Sequence, residues 1–121
     1  MESTILVIDD DALLRASLCE VLELAGLRTI TARNGVEAHA LAESERPSAI
    51  VLDLMMPVAG GIQFLQRLRS EGLLERVPVV LYSGSADLER EAQRLGANCW
   101  LRKPCPPEQV LGALRELIDA A

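Results

Sequence analysis

Five short runs rich in apolar or β-branched residues alternate with longer segments whose apolar residues recur every three or four positions. The runs are TILVI (4–8), RTITA (28–32), SAIVLD (48–53), VPVVLYS (77–83) and CWLRK (99–103). Strands that are apolar throughout must be covered on both faces, which an antiparallel sheet open to water does not require. The pattern therefore predicts an α/β protein with a parallel sheet and helices on either side. Right-handed crossovers then wind five β-α units into a five-stranded, doubly wound sheet.

The intervening segments read as amphipathic helices. Ala12 to Ala25 carries Leu14, Leu18, Val21, Leu22 and Ala25 on one face, and Gly26 marks its end. Asn34-Gly35 opens a second helix with Ala38, Leu41 and Ala42 inward and His39, the one histidine, facing water. After a loop MMPVAGG (55–61), Ile62 to about Ser70 buries Phe64, Leu65 and Leu68. Leu88, Ala92 and Leu95 line a fourth helix; Val110, Leu111, Leu114, Leu117 and Ile118 line a fifth. The acid and arginine mixture at 89–94 reads as a solvated face. With one Trp, one Tyr and one Phe in 121 residues, the core must be aliphatic.

That length suits a single domain spanning 1–121, with no output domain visible. A formal charge of −6 argues against direct binding to nucleic acid or to an anionic membrane. No apolar run approaches the roughly 20 residues of a membrane span, and the start MESTILVIDDD lacks the features of a signal peptide. A cytoplasmic protein is expected. Cys19, Cys99 and Cys105 show no CxxC spacing, which suggests reduced thiols rather than a disulfide framework or a zinc site.

In an open α/β sheet the binding crevice lies beyond the carboxyl ends of the strands. The residues there are Asp9 and Asp10 after the first run, Asp53 after the third, Ser83 after the fourth and Lys103 after the fifth. Adjacent carboxylates repel, and fold stability gives no reason to gather them. Without His or Cys they are hard oxygen ligands suited to Mg²⁺, which offsets their repulsion. Lys103 and the Ser83 hydroxyl are placed to receive phosphate oxygens. Asp11 is expected to cap the first helix rather than join the metal site.

These residues resemble the receiver domains of two-component response regulators, chemotaxis receivers among them, a bacterial family of flavodoxin-like (βα)₅ fold. The resemblance covers nearly the whole chain. It rests on Asp9–Asp10, on DLMMPVAGG from Asp53 to Gly61, on Ser83-Gly84 and on Lys103-Pro104. It implies a phospho-acceptor switch in which Asp53 takes a phosphoryl group from the phosphohistidine of a histidine kinase or phosphotransfer protein. Asp10 and Asp53 would ligate Mg²⁺ directly, Asp9 mainly through water, and Met55 through its backbone carbonyl. Lys103 and Ser83 would hold the phosphoryl group, and Lys103-Pro104 would be a cis peptide.

The resemblance further implies that Ser83 and Trp100 are the switch pair. Their movement would change the surface around the fourth helix, fifth strand and fifth helix for a downstream target or fused output domain. Such a domain catalyses its own phosphorylation and slow dephosphorylation rather than conventional turnover, and is a monomer or a phosphorylation-dependent dimer. Two departures stand out. Cys105 replaces the family's common Phe and puts a thiol near the site. The apolar Met55 is expected to hinder water and prolong the phosphorylated state. Two rival readings are a haloacid-dehalogenase-type phosphatase, whose motif Ala12-Leu13 does not match, and a pseudo-receiver, which usually loses one of the residues kept here. A flavodoxin-like cofactor binder would need a phosphate-cradling loop after the first strand, and none follows.

Overall fold

A computed structural model of the chain describes residues 3–56 and 60–119. Pro57, Val58 and Ala59, within the expected 55–61 loop, lie outside the described residues. The elements run β1 (Thr4–Ile8), α1 (Ala12–Leu24), β2 (Arg28–Ala32), α2 (Gly35–Glu45), β3 (Ala49–Leu52), α3 (Gly61–Ser70), β4 (Val79–Ser83), α4 (Leu88–Leu95), β5 (Cys99–Arg102) and α5 (Pro107–Asp119). A short 3₁₀ turn, Leu73–Glu75, leads into β4. The five strands form one sheet in the order β2-β1-β3-β4-β5, with every adjacent pair parallel. This is the expected (βα)₅ flavodoxin-like topology.

Alternation along the central strands divides the core in two. Leu6, Ile8, Ile50, Leu52, Val79 and Leu81 face α2, α3 and α4, where Ala38, Phe64, Leu65, Leu68 and Leu88 meet them. Ile5, Val7, Ala49, Val51, Val80 and Tyr82 face α1 and α5, against Leu18, Leu22, Val110 and Leu114. Both faces are thus dry, which is why β1 and β3 tolerate no polar residue between their ends. β2 and β5 are the edge strands and are only partly buried.

Local signals set the helix ends. The Asp11 carboxylate accepts the amides of Leu13 and Leu14 at 3.0 and 3.2 Å, so it caps α1 as expected. Asn34 caps α2 by accepting the Glu37 amide, and Glu37 reaches back to the Arg33 amide. Gly26 and Gly96 follow α1 and α4 with φ of +91° and +79°, a region that favours glycine. The stripe on α1 is narrower than its spacing suggested: Leu18, Cys19 and Leu22 are buried, whereas Leu14 is exposed.

One residue departs plainly from expectation. His39 does not face water; it is buried against Glu71, 32 positions along the chain, with Nε2 2.7 Å from Glu71 Oε1. Helical spacing fixes which residues share a face of α2, but it carries no information about the end of α3 that covers His39.

Candidate functional site

The carboxyl ends of β1, β3, β4 and β5 converge, as parallel strands with helices between them require. Asp9 and Asp10 follow β1, Asp53 follows β3, Ser83 ends β4 and Lys103 follows β5. Asp9, Asp53 and Ser83 are buried, Asp10 is exposed and Lys103 is partly covered. One carboxylate oxygen from each of Asp9, Asp10 and Asp53 lies within 4.8 Å of the others.

Lys103 bridges the two buried acids. Its Nζ donates to Asp9 Oδ2 at 2.8 Å and to Asp53 Oδ2 at 3.2 Å. Burial acts to depress the pKa of this ammonium. The hydrogen bond to Asp9 and the charges of Asp53 and Asp9 outweigh it, so the pKa lies above an ordinary lysine's. Lys103 is therefore a fixed positive charge at neutral pH. Its Nζ also sits 5.0 Å from the centre of the Tyr82 ring, within cation–π range.

The remaining carboxylate oxygens divide by availability. Asp9 Oδ1 accepts the Asp11 amide at 2.9 Å, and Asp53 Oδ1 accepts the Met55 amide at 3.0 Å. The Asp10 carboxylate has no protein hydrogen bond among the described residues, which leaves it the freest oxygen donor of the three. An all-oxygen set of hard donors suits a divalent cation of magnesium or calcium type.

The loop after β4 is held at two points. Ser83 Oγ accepts the Ser85 amide at 3.3 Å, and Arg102 donates to the Ser85 carbonyl at 2.7 Å. Trp100, partly buried on β5, packs against the cluster that includes Leu88 and Leu95 of α4. Met55 is 62% exposed beside Asp53. Lys103-Pro104 is cis. Cys105 is partly buried, and burial raises its thiol pKa, which disfavours the reactive thiolate.

Arg15 and Tyr82, like Arg102, were not singled out from sequence. Arg15, on the first turn of α1, donates to the Asp9 carbonyl at 2.6 Å and steadies the acidic turn. The Tyr82 hydroxyl donates to the Cys105 carbonyl at 3.0 Å and ties the segment after Lys103 to β4. Gly61 lies so close to β3 that an added Cβ would stand 2.6 Å from the Asp53 carbonyl oxygen and 2.8 Å from Leu54 Cα. Gly61 closes the DLMMPVAGG stretch, and this close approach is a physical reason for a glycine there.

Oxygen donors for a divalent cation, set beside an ammonium and a buried hydroxyl able to meet phosphoryl oxygens, define a phosphoacceptor domain of the α/β class. The chain belongs to the response regulator receiver domains, whose family description matches residues 5–115. It is 31% identical over 117 residues to the phosphate regulon transcriptional regulatory protein PhoB of Pseudomonas aeruginosa, covering 95% of this chain and 51% of that one. It is 36% identical over 120 residues to the response regulator MprA of Mycobacterium ulcerans, covering 98% and 51%. The chain thus spans about half the length of these relatives.

Among solved structures it is similar to the chemotaxis response regulator CheY4 of Vibrio cholerae, with a TM-score of 0.87, 30% identity, and 97% and 99% of the two chains covered. The Francisella response regulator 1452 receiver domain gives 0.90, 28% and 98% of each chain. Phosphoacceptor function, with self-catalysed phosphorylation and dephosphorylation in place of multiple turnover, comes with that membership. No helix of the described residues is long and apolar enough to cross a membrane.

Proposed function

We propose that residues 1–121 act as one receiver unit of a bacterial two-component pathway, with Asp53 as the phosphoacceptor. The observation that carries this reading is the bridge from Lys103 to Asp53 and Asp9 at 3.2 and 2.8 Å. It puts a fixed cation against a buried carboxylate at the crevice edge. In the transfer, an Asp53 oxygen attacks phosphorus, the P–N bond of a partner's phosphohistidine breaks, and its electron pair stays with the leaving imidazole. The partner is a histidine kinase or a phosphotransfer protein, acting in the cytoplasm.

Mg²⁺ fits the all-oxygen donor set; Asp10, Asp53 and the Met55 carbonyl would hold it directly, and Asp9 would act through a water. When bound it supplies charge neutralisation at the phosphoryl oxygens. Lys103 exchanges its bond to Asp53 Oδ2 for a phosphoryl oxygen while keeping Asp9. Ser83 Oγ leaves the Ser85 amide and donates to a second phosphoryl oxygen. That exchange frees the loop after β4 and lets Trp100 repack. The surface of α4, β5 and α5 then changes for a downstream protein or an output domain, by a shift between two states.

Intact-mass spectrometry after incubation with acetyl phosphate and Mg²⁺ tests the reading. One phosphoryl adduct is expected on the native chain, and none without Mg²⁺ or in Asp53→Asn. No adduct under any condition would leave a pseudo-receiver that signals without phosphorylation.

A further inference from the structure

The strands' amino-terminal edge, opposite Asp53, holds a second cluster that the phosphoacceptor chemistry does not use. His39 on α2 is 6% exposed. Its Nε2 lies 2.7 Å from Glu71 Oε1 and 3.3 Å from Glu43 Oε1. Glu43 stands one helical turn beyond His39, and Glu71 caps the end of α3, so the three groups reach across two elements. Their ligating atoms all lie within 4.8 Å of one another.

A hydrogen bond does not account for the whole arrangement. Neutral imidazole offers one N–H, and at Nε2 a single proton serves one close acceptor; Glu71 takes that place. The Glu43 side chain is 57% exposed and free to turn to water. It instead points at the same nitrogen, beside a carboxylate of like charge. Within ion-pair reach of the two acids, the other cation among the described residues is Arg67, with Nε 3.8 Å from Glu71 Oε2.

We propose that His39, Glu43 and Glu71 form a binding site for a divalent transition-metal ion of zinc type. One imidazole nitrogen and two carboxylate oxygens make a three-ligand set that zinc accepts, with water in the fourth position. The nitrogen ligand favours such an ion over Mg²⁺, and the two negative charges match the dication. Zinc–ligand bonds of about 2.0 Å in a tetrahedron put neighbouring ligand atoms about 3.3 Å apart. The His39–Glu43 separation is already there, and the pair of His39 and Glu71 has only to open from 2.7 Å. Glu43 and Glu71 also line a cleft of about 570 Å³ with Arg46, Pro47, Arg76 and Val77, which gives water access to the open position. Metal binding pins α2 to the end of α3.

The test is thermal unfolding of the full chain in excess Mg²⁺, which occupies the carboxyl-edge acids, with Zn²⁺ then titrated in. A rise in Tm is expected, lost in Glu43→Gln and Glu71→Gln and kept in Asp10→Asn. Glu43 is exposed, so its variant keeps the fold. Co²⁺ in place of Zn²⁺ should give the visible absorption of a tetrahedral site in the native chain and not in Glu43→Gln. Absence of both signals overturns the proposal and leaves a histidine–carboxylate hydrogen bond only. A response that survives both glutamine variants, or disappears in Asp10→Asn, also overturns it by placing the ion on the thiols or on the carboxyl-edge acids.

Discussion

Both edges of the sheet hold one nitrogen between two carboxylates, at nearly the same distances. Lys103 Nζ stands 2.8 and 3.2 Å from Asp9 and Asp53, and His39 Nε2 stands 2.7 and 3.3 Å from Glu71 and Glu43. The likeness ends with distance. An ammonium has three hydrogens and satisfies both acids; Nε2 has at most one. Asp9 and Asp53 are 4% and 6% exposed on strand ends, whereas Glu43 and Glu71 sit on helices with solvent at hand. Buried strand-end acids cannot relax away from one another, so a cation is needed to hold them. Helix-borne acids can turn to water, so their convergence on His39 is a choice of geometry rather than a consequence of the fold.

Breaking the pairing between nitrogen and carboxylate should separate the two edges. The largest effect is expected for Lys103→Met, which leaves two buried carboxylates unpaired and should cost about 3 kcal/mol by urea unfolding in chelator. Gly61→Ala comes next. Its Cβ has no room beside β3, and the forced backbone shift should cost about 2 kcal/mol and slow phosphorylation as Asp53 moves.

The raised pKa of Lys103 fixes a pH dependence at the same edge. Its stabilisation should be complete below about pH 10.4, the ordinary lysine value, and be lost as pH rises through the higher folded value. Burial of Tyr82 also raises its pKa and adds a loss at alkaline pH. Lys103→Met should therefore flatten only part of the alkaline fall in a stability–pH series. At the opposite edge, Glu43→Gln in chelator should change stability by no more than about 0.5 kcal/mol. A cost comparable with that of Lys103→Met would break the contrast between the edges. Met55→Asn should leave stability unchanged and speed loss of the phosphoryl group several-fold, followed by the decay of the adduct mass.

The carboxyl edge was legible in sequence because its chemistry is tied to the ends of recognisable strands. AIVL and ILVI are apolar without a break since both faces are covered, and an acid after such a run has one place to be. RTITA mixes polar and apolar residues for the physical reason that β2 is an edge strand, with four of its five residues exposed or partly exposed. The Ser83 and Lys103 positions followed from the same strand-end logic. Arg15, Tyr82 and Arg102 were not legible, since each acts through one hydrogen bond to a carbonyl set by tertiary packing. His39 was misread because the groups that bury it include the end of α3, which the spacing of α2 does not encode. Leu14 was misread because apolar spacing does not show how far a helix face stays in contact with the sheet.

The central claim is that Asp53, and neither Asp9 nor Asp10, accepts the phosphoryl group. Borohydride reduces an aspartyl phosphate to homoserine, so trapping after acetyl phosphate and Mg²⁺, followed by peptide mass mapping, marks the acceptor directly. Homoserine at position 53 alone is the predicted result. Homoserine at 9 or 10, or none in a chain that carries the phosphoryl mass, would contradict the account.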